Sequence, residues 1–312
     1  MNLGEKLKLY RERMNMTQKE VAEYIEVEPA TISKYESGMR EPNVESLKRL
    51  SDLFVVSLDE LLKDEEELDI SKLNILEILK EQKEMKLKGN LYHNTQIAFT
   101  YNSNHIEGSR LTEDQTRFIF ETKTILAEQN TVINVDDIIE TTNHFKLIDY
   151  IIDVAEKKLT ENLIKEFHRI LKTGTSDSQK EWFNVGDYKA LANEAGSIKT
   201  VAPKLVEKHM KKLLEWYNSI KQVDIKDIIE FHARFEKIHP FQDGNGRVGR
   251  LIMFKECLKH NIVPFIITDE VKLFYYRGIS EWHNIKGYLT DTCLSCQDEF
   301  KEVSKRFGIP FF

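Results

Sequence analysis

Residues 239–250 read His-Pro-Phe-Gln-Asp-Gly-Asn-Gly-Arg-Val-Gly-Arg, and residues 251–259 continue as Leu-Ile-Met-Phe-Lys-Glu-Cys-Leu-Lys, an apolar-periodic helix. A glycine-rich loop opening a helix is an anion site, because unpaired backbone N–H groups and the helix dipole point the same way. Arg247 and Arg250 fall on the first turns of that helix, where guanidinium groups grip phosphate oxygens. Asp243 is a hard oxygen donor suited to Mg²⁺. His239, just before the loop, is a base for neutral pH. Together these residue types predict a site that handles a nucleotide phosphate.

Around this stretch the chain reads as mostly helical. Only 13 Gly and 6 Pro punctuate its 312 residues, and no internal repeat or low-complexity tract appears. The length suits two or three domains. A net charge of −7 gives no global basic field of the kind that gathers nucleic acid. No signal-peptide-like or membrane-spanning apolar run is present, so a cytoplasmic protein without a membrane partner is expected. Three cysteines, Cys257, Cys293 and Cys296, fit a reducing compartment. Cys293 and Cys296 form a CxxC with no second pair. Two buried thiols on one helical turn are its simple meaning, with a zinc or redox site as the alternative.

The acidic run Lys63-Asp-Glu-Glu-Glu-Leu-Asp divides residues 1–63 from the rest, and 64–74 reads as a linker or helix start. Five short helices are expected before it. Leu3–Met14 is the first, and the capping box Thr17-Gln-Lys-Glu20 opens the second. Residues 27–36 form the third, which Gly38 ends. Pro42 and Ser57 begin the fourth and fifth. Two short helices joined by a tight turn inside such a unit suggest a helix-turn-helix. The pattern Thr17-Gln18, Val21-Ala22, Thr31-Ile-Ser-Lys-Tyr-Glu-Ser-Gly38 and Pro42 resembles the repressor/Cro-like (XRE-type) helix-turn-helix family. Gln18, Lys19, Thr31, Ser33 and Lys34 are the candidate DNA contacts, with Arg40 beside them. Against DNA stands a balance of ten basic to twelve acidic residues in 1–63, so a dimerisation or docking module is the alternative.

The run at 239–250 resembles the signature of the Fic (filamentation induced by cAMP) family, His-Pro-Phe-x-Asp-Gly-Asn-Gly-Arg-x-x-Arg, at all nine specified positions. The resemblance extends over about 75–305 and implies an all-α Fic domain with one β-hairpin flap. It further implies a protein adenylyltransferase that moves AMP from ATP, with Mg²⁺, to a Ser, Thr or Tyr hydroxyl of a target protein or of the chain itself. In that scheme His239 accepts the hydroxyl proton and Asp243 holds the metal. Gly244, Asn245 and Gly246 line an anion hole, Arg247 binds the β-phosphate and Arg250 the γ-phosphate. Residues 184–203, read as a hairpin pairing 190–193 with 197–201, match the family's target-docking flap. Its candidates are Gly186, Tyr188, Ala190, Leu191 and Ala192. Tyr275 and Tyr276 stand where the family has residues near the adenine, with core packing as their alternative.

Ser103-Asn-His-Ile-Glu107-Gly108 resembles the family's inhibitory pattern, (Ser/Thr)-x-x-x-Glu-(Gly/Asn), placed on a helix at about 95–108. A Glu107–Arg250 ion pair would occupy the arginine meant for the γ-phosphate. The same carboxylate allows a second reading, a deAMPylating or bifunctional enzyme in which Glu107 positions water. A third reading is a DNA-binding regulator whose Fic domain senses nucleotide. Homo-oligomerisation is expected, since repressor-like modules commonly bind paired half-sites.

Overall fold

The structure, a computed structural model, describes residues 2–14, 16–54, 56–62, 74–125, 132–195 and 198–311. The acidic run and all but the last residue of the expected linker lie outside the described residues. Two compact units divide at residue 73/74.

The N-terminal unit contains the five expected helices: α1 (Leu3–Arg13), α2 (Gln18–Tyr24), α3 (Pro29–Glu36), α4 (Val44–Phe54) and α5 (Leu58–Leu62). Local chemistry sets their starts. Asn2 with Glu5, and Thr17 with Glu20, form reciprocal capping boxes, and Pro29 occupies the first turn of α3. Leu7, Val21, Ala22, Ile25, Ile32, Tyr35, Leu47, Leu50 and Phe54 close a separate core.

The second unit contains ten helices among the described residues: α6 (Ile75–Met85), α7 (Leu91–Ile106), α8 (Glu113–Thr122), α9 (Val135–Val154), α10 (Glu161–Lys172), α11 (Pro203–Ser219), α12 (Ile225–Ile238), α13 (Asn245–Lys259), α14 (Lys272–Ser280) and α15 (Gly287–Arg306). The mainly helical class expected from sequence is the class observed. The sequence over 70–107 reads as one helix, but the structure divides it into α6 and α7. Lys86 and Gly89 take left-handed backbone, and the Asn90 side chain then caps the new helix at the His93 N–H, 2.8 Å. Likewise the capping box Thr112-Glu-Asp-Gln115 reads in sequence as opening a helix to about 129, but α8 stops at Thr122, where Lys123 turns left-handed.

The flap is also smaller than expected. Its ladder is two residues long, β1 (Glu194–Ala195) antiparallel to β2 (Ile198–Lys199), and 190–193 is not strand. That segment bonds to the motif loop instead. Leu191 N–H donates to Gln242 Oε1 at 3.1 Å, and Asn193 Nδ2 to the Phe241 carbonyl at 2.9 Å.

Helix α13 is the centre of this unit. From Arg247 to Leu258 every residue is buried, as befits a helix surrounded by others. It packs on α12, α10, α9, α7 and α6. Helix α14 closes in by packing along α15, where Gly278 meets the backbone of Leu289. A Cβ at 278 would lie 2.6 Å from Leu289 Cα and 2.7 Å from its nitrogen. Gly278→Ala therefore forces the two helices apart, and a loss of about 1–3 kcal/mol in urea unfolding is expected. An unchanged midpoint would show that the approach is slack.

Candidate functional site

The geometry begins at the end of α12. His239 caps that helix in left-handed backbone (φ 52°, ψ 62°), its N–H bonded to the Phe235 carbonyl at 2.8 Å. A non-glycine residue held there is costly unless its surroundings demand it. Phe241 is fully buried and stacks on His168 of α10, centroids 4.0 Å apart and parallel. Burial pushes the His168 ring down to about 3, so it is neutral. Its Nδ1 accepts the Gly186 N–H at 2.9 Å, which leaves Nε2–H to donate to the Asp243 carbonyl at 3.1 Å. One buried imidazole thus joins the flap base to the motif loop.

Gly244 (φ 79°) turns the chain into α13, and the first intrahelical bond is Val248 N–H to Gly244 O, 3.0 Å. The N–H groups of Asn245, Gly246 and Arg247 thus form the open end of a well-supported helix. The Asn245 side chain, expected to help an anion directly, does other work. Its amide pairs both ways with the Phe241 backbone, at 2.8 and 2.9 Å, and so closes the loop.

Arg247 and Arg250 project from α13 into the protein, 4% and 2% exposed. Arg247 pairs with Glu140 of α9 through Nη1 and with Asp243 Oδ2 at 3.2 Å. Arg250 Nε donates to Ser103 Oγ at 3.1 Å, and Nη2 to Ser103 O at 2.8 Å and to Glu107 Oε1 at 2.7 Å. Burial works against the Arg250 charge, but the Glu107 carboxylate and then the Tyr275 hydroxyl hold its pKa above the ordinary value. Glu107 is itself the C-cap of α7. Gly108 N–H bonds to His105 O (3.0 Å) and Ser109 N–H to Asn104 O (3.1 Å), the paired bonds of a Schellman motif with Gly108 left-handed. Gly246 gives the Glu107 carboxylate its room, since a Cβ there would overlap Oε1.

Tyr275 is 1% exposed, so it presents no open ring face of the kind an adenine contact needs. Its hydroxyl instead meets His232 Nε2 at 2.7 Å and Arg250 Nη1 at 3.4 Å. Tyr276 keeps 41% exposure and donates to the Ile106 carbonyl at 3.2 Å. In the flap Tyr188 is half-buried against Phe241, with Lys165 Nζ 4.1 Å from its ring centre. Ala190, Leu191 and Ala192 are exposed. Cys293 and Cys296 are buried on α15 as free thiols, and burial raises both, Cys296 to about 11.

Three side chains at this site escaped the sequence reading. Lys172 of α10, 2% exposed, places Nζ 2.6 Å from Asp243 Oδ2 and 2.5 Å from Glu140 Oε1. Glu140 bridges Lys172 and Arg247. Burial would raise the Asp243 carboxyl, but the charges of Arg247 and Lys172 hold it well below the usual carboxylate range. Glu236 of α12 is buried one turn before His239. Only Glu236 had a signal in sequence, its i,i+3 spacing. The others meet through packing of α9 and α10 on α13.

Among the described residues no group of three or more His, Cys, Asp or Glu is arranged to hold a metal. A divalent cation would therefore rest on the single half-exposed Asp243 carboxylate, with phosphates and water as its other donors. Mg²⁺ accepts such a site, because it keeps several waters and binds through one or two carboxylates plus phosphates.

In the N-terminal unit Lys19, Ser33 and Lys34 are exposed and Thr31 is half-buried. Gln18 Nε2 donates to Glu36 Oε2 at 2.8 Å, and Glu36 is paired with Arg11 at 2.6 Å. The Gln18 amide thus helps fasten α2 to α3 and α1.

A helical domain with a glycine-led helix start, buried arginines and a histidine just before them, together with a unit of five short helices, defines the class of protein. Comparisons with known proteins agree with it. Residues 158–257 match the Fic/DOC family and residues 7–61 the helix-turn-helix family. The chain joins a helix-turn-helix domain to a Fic/DOC domain. It is 29% identical over 190 residues to the protein adenylyltransferase Fic of Nematostella vectensis, across 58% of this chain and 42% of that one. It thus spans less than half the length of that curated relative. It is 48% identical over 66 residues to the HTH-type transcriptional activator BcrR of Enterococcus faecalis, 21% of this chain and 32% of that one. A Fic domain containing signaling protein from Bacteroides thetaiotaomicron superposes with a TM-score of 0.61 at 23% identity, over 76% of this chain and 97% of that one. Fic-1 from Caenorhabditis elegans (residues 134–508) gives 0.55 at 16%, over 94% and 98%. At these identities the two superpositions show a shared fold. Among the described residues no helix is long and apolar enough to cross a membrane.

Lys172→Met would leave Asp243 and Glu140 with Arg247 as their remaining close cation. Removing one partner of a buried ion pair costs about 3–5 kcal/mol. A clear drop in the thermal midpoint of the second unit is expected, and an unchanged midpoint would show that Lys172 is not needed as a counter-ion.

Proposed function

We propose that the second unit transfers AMP from ATP to a hydroxyl of a protein, and that Glu107 restrains it. The observation that carries the reading is the start of α13, where open N–H groups, Asp243, Arg247 and Arg250 converge behind His239. The β- and γ-phosphates of ATP would take over the guanidinium groups of Arg247 and Arg250. The N–H groups of residues 245–247 would hold oxygens of the transferring phosphate and its neighbour. The Ser, Thr or Tyr oxygen attacks the α-phosphorus, its proton passes to His239, and pyrophosphate leaves with the electron pair of the broken P–O bond. Asp243 would hold Mg²⁺, which when bound neutralises charge on the phosphates. The flap would present the target by strand addition, a role suited to a short ladder flanked by the exposed Ala190, Leu191 and Ala192.

The restraint follows from occupancy. Arg250 Nη2 donates to Glu107, so a γ-phosphate must displace the carboxylate or bind elsewhere. A triphosphate held off that arginine presents its α-phosphate out of line for attack. Glu107→Gly frees Arg250 without disturbing the α7 cap, where glycine is well tolerated. Incorporation of label from [α-³²P]ATP into the protein or an extract is expected to rise at least tenfold in Glu107→Gly. Equal labelling of wild type and variant would overturn the restraint, and no labelling of either would overturn the transferase reading.

A second reading is favoured by the position of Glu107 against Gly246, which puts a carboxylate beside the same anion site. There it could orient water to remove AMP from a modified protein. Glu107→Gly would then lose AMP release, and retained release would reject this reading.

For the first unit we infer DNA binding through α3. The reading is supported by exposed Lys19, Ser33 and Lys34 and by likeness to a named transcriptional activator. Lys34→Glu is expected to weaken binding to a duplex selected from random sequence, and to reduce the salt-dependence slope by about one. An unchanged affinity would point to docking or dimerisation instead.

A further inference from the structure

Glu236 is a carboxylate without an evident structural task. It lies on α12 one turn before His239 and is 7% exposed. Its Oε1 is buried with no hydrogen-bond partner, and His239 Nδ1 is likewise buried and unpartnered. The two groups face each other, with Oε2 3.7 Å from Nδ1. Hydrogen bonds of catalytic groups are often long before substrate binds, and a small side-chain rotation would close this one.

The surroundings keep the carboxylate there and keep it charged. His232 of α12, His239, Arg250 of α13 and the Tyr275 hydroxyl of α14 are the ionisable groups that act on it. Burial would raise Glu236, but the His239 contact and the charge of Arg250 hold it below its ordinary value. Gly249 makes the space, since a Cβ there would lie 2.8 Å from Glu236 Oε1 and 2.7 Å from His232 Nδ1. The left-handed cap of α12 fixes the His239 backbone one turn beyond Glu236.

We propose that Glu236 is the positioning residue of His239. Its carboxylate accepts Nδ1–H and so fixes the tautomer that leaves Nε2 unprotonated. This rests on the reading of His239 as the base. Nε2 takes the hydroxyl proton as the oxygen attacks phosphorus, Nδ1 keeps its own, and the imidazolium so formed lies against the Glu236 charge. Without the carboxylate the ring reverts to the Nε2–H form, whose free nitrogen points into the protein.

The test is ¹⁵N NMR of His239 at a pH where the ring is neutral, in full-length wild type, Glu236→Met and Glu236→Gln, with no nucleotide present. Nδ1–H is expected in wild type and Nε2–H in Glu236→Met. Glu236→Gln keeps an acceptor oxygen, so it should retain Nδ1–H. In the Glu107→Gly background, Glu236→Met is expected to lower kcat by about 10- to 100-fold at unchanged KM for ATP. Glu236→Gln should fall less, through loss of the charge alone. Wild type already in the Nε2–H form, or Glu236→Met still in the Nδ1–H form, overturns the proposal. If Glu236→Met does not fold, Glu236→Gln decides: an Nε2–H ring or an unchanged kcat overturns the proposal. A tautomer switch in a protein that transfers no AMP would leave the Glu236 contact standing and remove the transferase reading.

Discussion

Two guanidinium groups buried along one helix are the constraint on which the second unit depends. Arg247 and Arg250 sit on the first two turns of α13, inside the packing of α7, α9, α10 and α12. An unpaired charge there would be very costly, so the surroundings must contribute counter-charges or acceptors. Helix α9 supplies Glu140, the motif loop supplies Asp243, and α7 supplies Ser103 and Glu107. The carboxylates stand where phosphate oxygens are proposed to stand. A protein that must bind a polyanion without collapsing in its absence needs such internal substitutes.

That arrangement explains how closely structural and functional roles overlap here. The Asn245 amide shapes the loop. His168, neutral through burial, ties the flap base to the same loop. Tyr275, read from sequence as an adenine neighbour, meets Arg250 and His232 in the core. Residues with structural partners therefore fix the groups proposed to hold the nucleotide, a supporting layer that precise sites require.

The helix starts and stops were largely legible because their chemistry is local. Thr17 with Glu20, Thr112 with Gln115, and Gly108 after Glu107 each announce a terminus within a few residues. The loop and arginines of 239–250 were legible for the same reason, whereas the pairing of Glu107 with Arg250, 143 residues apart, was expected only through the family resemblance. The Gly89-Asn90 break was equally local but hidden under a strong helical periodicity. Lys172 and Glu140 were not legible at all. Lys172 looks in sequence like any solvated lysine, and only the docking of α9 and α10 onto α13 brings it to Asp243. The flap misled in another way. Residues 190–193 have partners in the motif loop, and a sequence-local hairpin rule cannot see bonds to residues fifty positions away.

The Schellman cap of α7 has a consequence for timing. With the backbone of Glu107 tied by Gly108 and Ser109, its carboxylate can leave Arg250 by side-chain rotation alone, without unwinding a helix. Side-chain rotation is fast compared with turnover, even when slowed by partial burial. Any control exercised through this contact is then an equilibrium between occupied and vacant arginine, re-established many times within each catalytic cycle. Such a device leaks in proportion to the vacant fraction and scales smoothly with the free energy of one ion pair. It would act as a graded attenuator, with no memory of its previous state.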